Sequence, residues 1–275
     1  MAKTNLKIAL KVASNGKQAA AKRVAALAQV PLQVNESNMS QVIAILVNAK
    51  EDLRVRLAAL GAVQAGSFSA LAFSPVRGEY LTALRKVAVD QNLELRQRAL
   101  GMLAREKDGF AQKKLIDGLR DPEKALVTPE KALQLLAYDV HAEAYQVARA
   151  IVAQPPNAEA KREALRLLAA DAKSAAMFET LLADKTAEPE LRQLAAAALR
   201  ATQPETLRRV ARQVVMDAAD NDDVQSTCLT ALAQFGDAAQ LSADQPLLDR
   251  AGVIKRKASK NSKKSAGEFL GRYGK

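Results

Sequence analysis

A single short pattern recurs seven times along this chain and restricts what it can fold into. An aliphatic anchor is followed by small and apolar residues at the three- and four-residue spacing of one helix face. The clearest copies are Leu53-Arg54 with Leu57-Ala58-Ala59-Leu60, Leu95-Arg96 with Ala99-Leu100 and Leu103, and Ala160-Lys161 with Ala164-Leu165 and Leu168. Two more are Leu191-Arg192 with Ala195-Ala196 and Leu199, and Val224-Gln225 with Cys228-Leu229 and Leu232. Fainter copies begin at Ala19 and Thr128. The anchors stand at positions 19, 53, 95, 128, 160, 191 and 224, in steps of 31 to 34 apart from one of 42. A fixed period of this size marks stacked helical repeats, in which function spreads over a surface and no compact pocket is required.

Each repeat is expected to be two antiparallel helices, the second carrying the anchor. Met39, Val42, Ile43, Leu46 and Val47 form one buried face of a first helix ahead of the helix at 52–63. The long step of 42 is explained by an insertion running from Ala65-Gly66-Ser67 through Phe73 to Ser74-Pro75. Prolines 122, 129, 155, 156, 189 and 204 all fall where the period places loops or first helical turns, where proline is tolerated. The sequence divides into basic N-terminal cap helices (1–38), a repeat array (39–236), a C-terminal cap segment (237–254) and a basic tail (255–275). Lysine and serine dominate Lys255–Ala266 without an apolar period, so that stretch is expected to be flexible. Beyond it, Phe269, Leu270 and Tyr273 make a small apolar group.

Composition narrows the function classes. Aromatic residues are 4% of the chain, tryptophan is absent, and alanine supplies much of the 49% hydrophobic content. Small residues let helices approach closely, so packing layers are expected to be thin. The net charge of +11 is uneven. Residues 1–23 carry six cations and no acid, and residues 255–275 carry eight cations and one acid, which leaves the span between them close to neutral. No apolar run is long enough for a membrane span or a secretory signal, and the lone Cys228 permits no internal disulfide. A cytoplasmic location is the expectation.

The aliphatic-Arg-x-x-small-aliphatic-x-x-Leu pattern, clearest at Asp52-Leu53-Arg54, Glu94-Leu95-Arg96 and Glu190-Leu191-Arg192, resembles HEAT repeats. The short period is most similar to the HEAT-like class found in phycobilisome lyases and many bacterial scaffolds. The resemblance spans roughly residues 15–236. It implies an all-α, right-handed α-α superhelix of about six or seven helical pairs, whose second helices line a concave face where a partner binds. It says little about function, because this architecture hosts many roles. DNA glycosylases of similar build use tryptophan, which is absent here. A chromophore-lyase subunit is an alternative without a motif of its own in this chain.

Four matched basic residues, Arg54, Arg96, Lys161 and Arg192, form the candidate protein-binding ladder, a stripe for acidic partners. The resemblance offers a structural role instead, in which such arginines bond acidic or amide groups of a neighbouring turn, with Asn48, Asp90, Asn157 and Asp220 as the candidates. Lys255, Arg256, Lys257, Lys260, Lys263 and Lys264 are the candidates for nucleic acid or an anionic surface. No catalytic group, metal or cofactor is expected. His141, the one histidine, opens a helix, and Cys228 occupies the small core position held by Ala99 and Ala195. The acidic run Asp217–Asp223 lacks the glycine and closing glutamate of an EF-hand loop. The functional expectation is a non-enzymatic scaffold that binds a protein partner. The alternative is an electrostatic binder acting through the two basic ends.

Overall fold

The computed structural model describes residues 2–32 and 34–274. Among them, ordered structure is entirely helical and falls into two compact units, 1–139 and 140–275. The first unit contains α1 (Ala2–Ser14), α2 (Ala20–Leu27), α3 (Glu36–Val47), α4 (Leu53–Ser67), α5 (Ala70–Phe73), α6 (Arg77–Val87), α7 (Leu93–Arg105), α8 (Gly109–Arg120) and α9 (Pro129–Leu136). The second contains α10 (Ala142–Ala153), α11 (Ala158–Leu168), α12 (Ala175–Ala183), α13 (Pro189–Thr202), α14 (Pro204–Met216), α15 (Asp222–Phe235), α16 (Ala238–Ala243), α17 (Gln245–Lys257) and α18 (Lys260–Tyr273). The short α5 and α16 are connectors, and the remaining helices make four antiparallel pairs in each unit.

First helices stack on first helices and second on second. In the first unit α1 packs on α3 and α3 on α6, while α2 packs on α4 and α7 on α9. In the second, α12 packs on α14 and α14 on α17, while α11, α13, α15 and α18 follow one another. The buried positions of the second helices repeat in register. Ala59, Ala99, Ala132, Ala164, Ala195 and Cys228 occupy the small position where helices cross, and Val63, Leu103, Leu136, Leu168, Leu199 and Leu232 fill the position one turn later. Helix starts follow local chemistry. Asn35, Asp52, Asn92, Asp108, Asn157, Asn221, Asp237, Asp244 and Ser259 each cap a free backbone amide of the first turn. His141 does the same, its Nδ1 accepting from the Ala144 amide at 3.2 Å.

Two sequence expectations need correction. In the first full repeats the anchor lies further along than positions 19 and 53. Leu53 is 39% exposed, whereas Val55 and Arg56 are buried, and Arg56 precedes Ala59 by the three residues that separate Arg192 from Ala195. The run Leu53-Arg54-Val55-Arg56 offers two aliphatic–arginine pairs, and Asp52 caps the helix so that the second pair faces inward. By the same measure Arg23, three residues before Ala26, is the buried arginine of the first pair. The second correction is the basic tail, which is not a flexible segment. Residues 260–273 form α18, the second helix of a final pair, with Ser262, Ser265, Ala266, Phe269 and Tyr273 buried against α15 and α17. Serine hydroxyls hold this interface. Ser262 donates to the Asp222 carbonyl at 2.7 Å, and the Ser226 and Ser265 hydroxyls lie 2.8 Å apart. The Tyr273 hydroxyl donates to the Ala233 carbonyl at 2.9 Å.

Candidate functional site

Most of the ordered charge in the array serves the stacking of repeats. The buried guanidinium of Arg192 donates from Nε to the Leu182 carbonyl at the end of α12 and from its two amino groups to Asp220, at 2.5 and 2.8 Å. Arg56 repeats this with the Leu46 carbonyl and Asp90, and Arg23 with the Ala13 carbonyl and Glu51. Each side chain thus satisfies a helix C-terminal carbonyl, which has no intrahelical donor, and ties it to the turn of the next repeat. Where the position holds Gln225, the amide donates to the Asp217 carbonyl at 2.5 Å, and Arg250 of α17 supplies the missing guanidinium by donating to the Val215 carbonyl at 2.9 Å.

A second set of contacts runs between first helices. Arg85 donates to Asp108 and Arg212 to Asp244, each at 2.6 Å, and Arg149 pairs with Asp171. Gln112 donates to Asp139 at 2.6 Å at the matching place. These aspartates act twice, since Asp108 also caps α8, Asp244 caps α17 and Asp171 accepts from Ser174. The pairings perturb the carboxylates. The Arg23 guanidinium holds Glu51 below its usual range against the cost of burial, and Arg212 does so for Asp244. Burial pushes Asp108 up, but Arg85 and the first-turn amides of α8 outweigh it and the carboxyl is lowered.

The four residues of the expected ladder do not converge. Arg192 is 1% exposed and closed off by Asp220, so its charge is not offered to a partner. Arg54 is exposed and folded onto Asp52 of its own helix cap. Arg96 is half-buried and donates to the carbonyls of Leu126, Asp90 and Gln91 at 2.6, 2.8 and 3.3 Å. Lys161 is half-buried at the same register. Of the acceptors named from sequence, Asp90 and Asp220 receive arginines, while Asn48 and Asn157 cap their own turns.

What the array leaves free lies on the outward side of the second helices. In the first unit a groove of about 360 Å³ runs between α7 and α9, with Gln97, Arg98, Arg105, Lys131, Gln134 and Tyr138 on its walls and Gly101 in its floor. In the second unit a groove of about 230 Å³ runs between α13 and α15, lined among others by Gln193, Ala197, Arg200, Thr230 and Phe235. The two correspond position by position. Gln193 stands where Gln97 does, Ala197 where Gly101 does, and Thr230 where Gln134 does, counted from Leu191, Leu95, Val224 and Thr128. Each groove ends in an arginine over an aromatic ring of the next repeat, Tyr138 in the turn just after α9 and Phe235 at the end of α15. Arg105 lies 5.9 Å from the Tyr138 centroid and Arg200 lies 5.6 Å from that of Phe235. The rings are 50% and 41% exposed, and among the described residues neither arginine has a carboxylate partner. Sequence reading passed over both pairs because their members are more than thirty residues apart and belong to different repeats.

The six basic residues of the last segment are brought together. Lys255, Arg256 and Lys257 end α17, Lys260, Lys263 and Lys264 begin α18, and all six are exposed. Elsewhere the chemistry is sparse. Among the described residues no group of three His, Cys, Asp or Glu side chains could hold a metal ion. Cys228 is enclosed, and burial pushes its thiol up to about 12, so it is a packing residue rather than a nucleophile. No helix among the described residues is long and apolar enough to cross a membrane.

No sequence model of a protein family matches the chain, and no curated protein sequence does. Solved structures do. The karyopherin Kap121p, bound in its crystal structure to the extreme C-terminus of the protein phosphatase Cdc14p, superposes on 98% of this chain with a TM-score of 0.57 at 12% identity. The fold is that of a HEAT-repeat helical solenoid. The chain spans 33% of the karyopherin's length, about one third, and the likeness concerns architecture alone. Human deoxyhypusine hydroxylase, solved with glycerol, is also similar, with a TM-score of 0.36 and 15% identity over 86% of this chain and 96% of that one. The HEAT-like architecture accounts for the two sets of inter-repeat contacts. It leaves the second-helix grooves and the basic α17–α18 turn as the surfaces whose polar groups stacking does not use.

Proposed function

We propose that this protein is a non-enzymatic scaffold that holds a protein partner on the outward face of its second helices, in the cytoplasm. The observation that carries this reading is the repeated groove. Two units of the chain present a similar arrangement, with the amide and the small residue at matching register positions and an arginine over an exposed ring within one residue of register. Amide side chains bond the backbone of an extended segment, and aromatic residues and arginine are enriched at protein interfaces. The surface is built on packed helices, so little ordering is lost when a partner docks. Kap121p, which shares the fold, holds a terminal protein segment in its crystal structure, and that precedent supports the reading without naming a partner.

The test is affinity capture from the native cell at low and high salt, with the wild-type chain and the double variant Tyr138→Ala/Phe235→Ala as baits. A discrete protein that survives high salt on the wild type and is lost from the variant is the expected result. Identical sets on both baits, or no protein surviving high salt, overturn it.

A further inference from the structure

We propose that the α17–α18 hairpin is a binding site for the phosphate backbone of double-stranded nucleic acid, independent of the second-helix grooves. Residues 255–264 hold six cations and no acid, wrapped around the turn at Ala258-Ser259. Lys264 alone among the six has a carboxylate within reach, Glu268 at 3.9 Å, and the others have no ion-pair partner among the described residues. Asp222, which shares the first turn of α15 with Asp223, points its carboxylate at the Ser259 amide, which donates to it at 2.9 Å.

The cluster is held in place. Ser259 and Ser262 bond to Asp222 and the Tyr273 hydroxyl to Ala233, so the cations stand on a fixed hairpin and lose little freedom when a ligand binds. The first turn of α18 contains no acid, and Lys260, Lys263 and Lys264 crowd the positive end of the helix dipole, which favours negative charge. A row of phosphates reverses that sign.

Three polyanions fit the charge, and the surroundings separate them. A helix that lies on a membrane inserts exposed apolar side chains between the headgroups. None of the large apolar side chains of this hairpin is exposed: Ile254, Phe269 and Tyr273 are 2%, 0% and 4% exposed, and Val253 and Leu270 are half-buried. Single strands are held by stacking bases on exposed aromatic rings. Both rings of α18 are buried and pack on each other at 5.2 Å. What remains is cation-to-phosphate contact, which reads the backbone of a duplex without regard to its sequence.

The experiment is fluorescence anisotropy of a labelled 20-base-pair DNA duplex titrated with the intact chain over a salt series of about 50–200 mM. The expected result is binding that weakens linearly in log–log form, equal for unrelated duplex sequences. In Lys260→Gln/Lys263→Gln/Lys264→Gln the affinity falls at least about tenfold, and the salt slope drops by up to about 0.9 for each contact removed. The matching arginine triple variant retains binding, and circular dichroism confirms that each variant keeps its helix content. Absence of binding at low salt overturns the proposal. So does an unchanged slope in the glutamine variant, a preference for single-stranded DNA, or retention on phosphatidylserine vesicles in place of the duplex.

Discussion

Arg192 and Asp220 lie on the second helix of one repeat and in the inter-helix turn of the next, and they meet through two hydrogen bonds with 1% and 2% of their side chains exposed. Neither charge has water to fall back on, so each exists in the fold only because the other does.

Arg192→Ala therefore strands a buried carboxylate and is expected to cost about 3–5 kcal/mol in urea unfolding. Arg54→Ala, which removes an exposed side chain folded onto its own cap residue, leaves the midpoint where it was. Equal effects from the two substitutions would contradict this assignment of roles.

Acid is expected to loosen the array. Glu51 and Asp244 are held below their ordinary values of 4.5 and 3.8 by their arginines, and Asp108 is lowered against the pull of burial by Arg85 and the helix amides. Groups depressed in the fold contribute stability that is complete above their unfolded values and is lost as pH falls through the folded ones. The urea midpoint should hold between about pH 7 and 5 and decline below about pH 4. Glu51→Gln should shrink that decline. A decline that begins near neutrality would point to other groups.

Lys107 has the one positive φ among the described non-glycine residues, at 55°. It closes α7, where the Asp108 amide donates to the Leu103 carbonyl and the Lys107 amide to the Ala104 carbonyl, a helix ending that glycine adopts without strain. Its ion pair with Asp139 is 3.9 Å long and 66% exposed on the lysine side, so it contributes little. Lys107→Gly is expected to raise stability by about 0.5–1 kcal/mol by chemical denaturation. A lower midpoint would show that the lysine is worth more than its backbone costs.

How far sequence carried the fold is clearest at the small position. Alanine or cysteine at 99, 132, 164, 195 and 228 sets the period, because only a small side chain fits where two helices cross, and the period alone yields the helical pairs. Register failed at Arg54, since two aliphatic–arginine pairs stand side by side and the anchor residue does not distinguish them. The distance to Ala59 does, and it selects Arg56. Helix α18 was hidden because its buried face is built on serine. Ser262, Ser265, Ala266, Phe269 and Tyr273 do carry a three- and four-residue spacing, but serine reads as solvent-facing until α15 offers it partners. The grooves had no sequence signal at all. Each is made by the second helices of two successive repeats, whose contributing residues look unremarkable on either helix until the neighbour is stacked beside it.

Arg23, Arg56 and Arg192 each find their carboxylate 28 to 34 residues later in the chain. During synthesis the arginine leaves the ribosome first, and its acid follows only after the next first helix has been made. In these three repeats the chain presents a guanidinium before its counter-charge has been made, whereas Lys161 and Gln225 hold the position in others. A chain cut short just ahead of Asp90 or Asp220 would therefore carry its last buried arginine without the carboxylate that neutralises it.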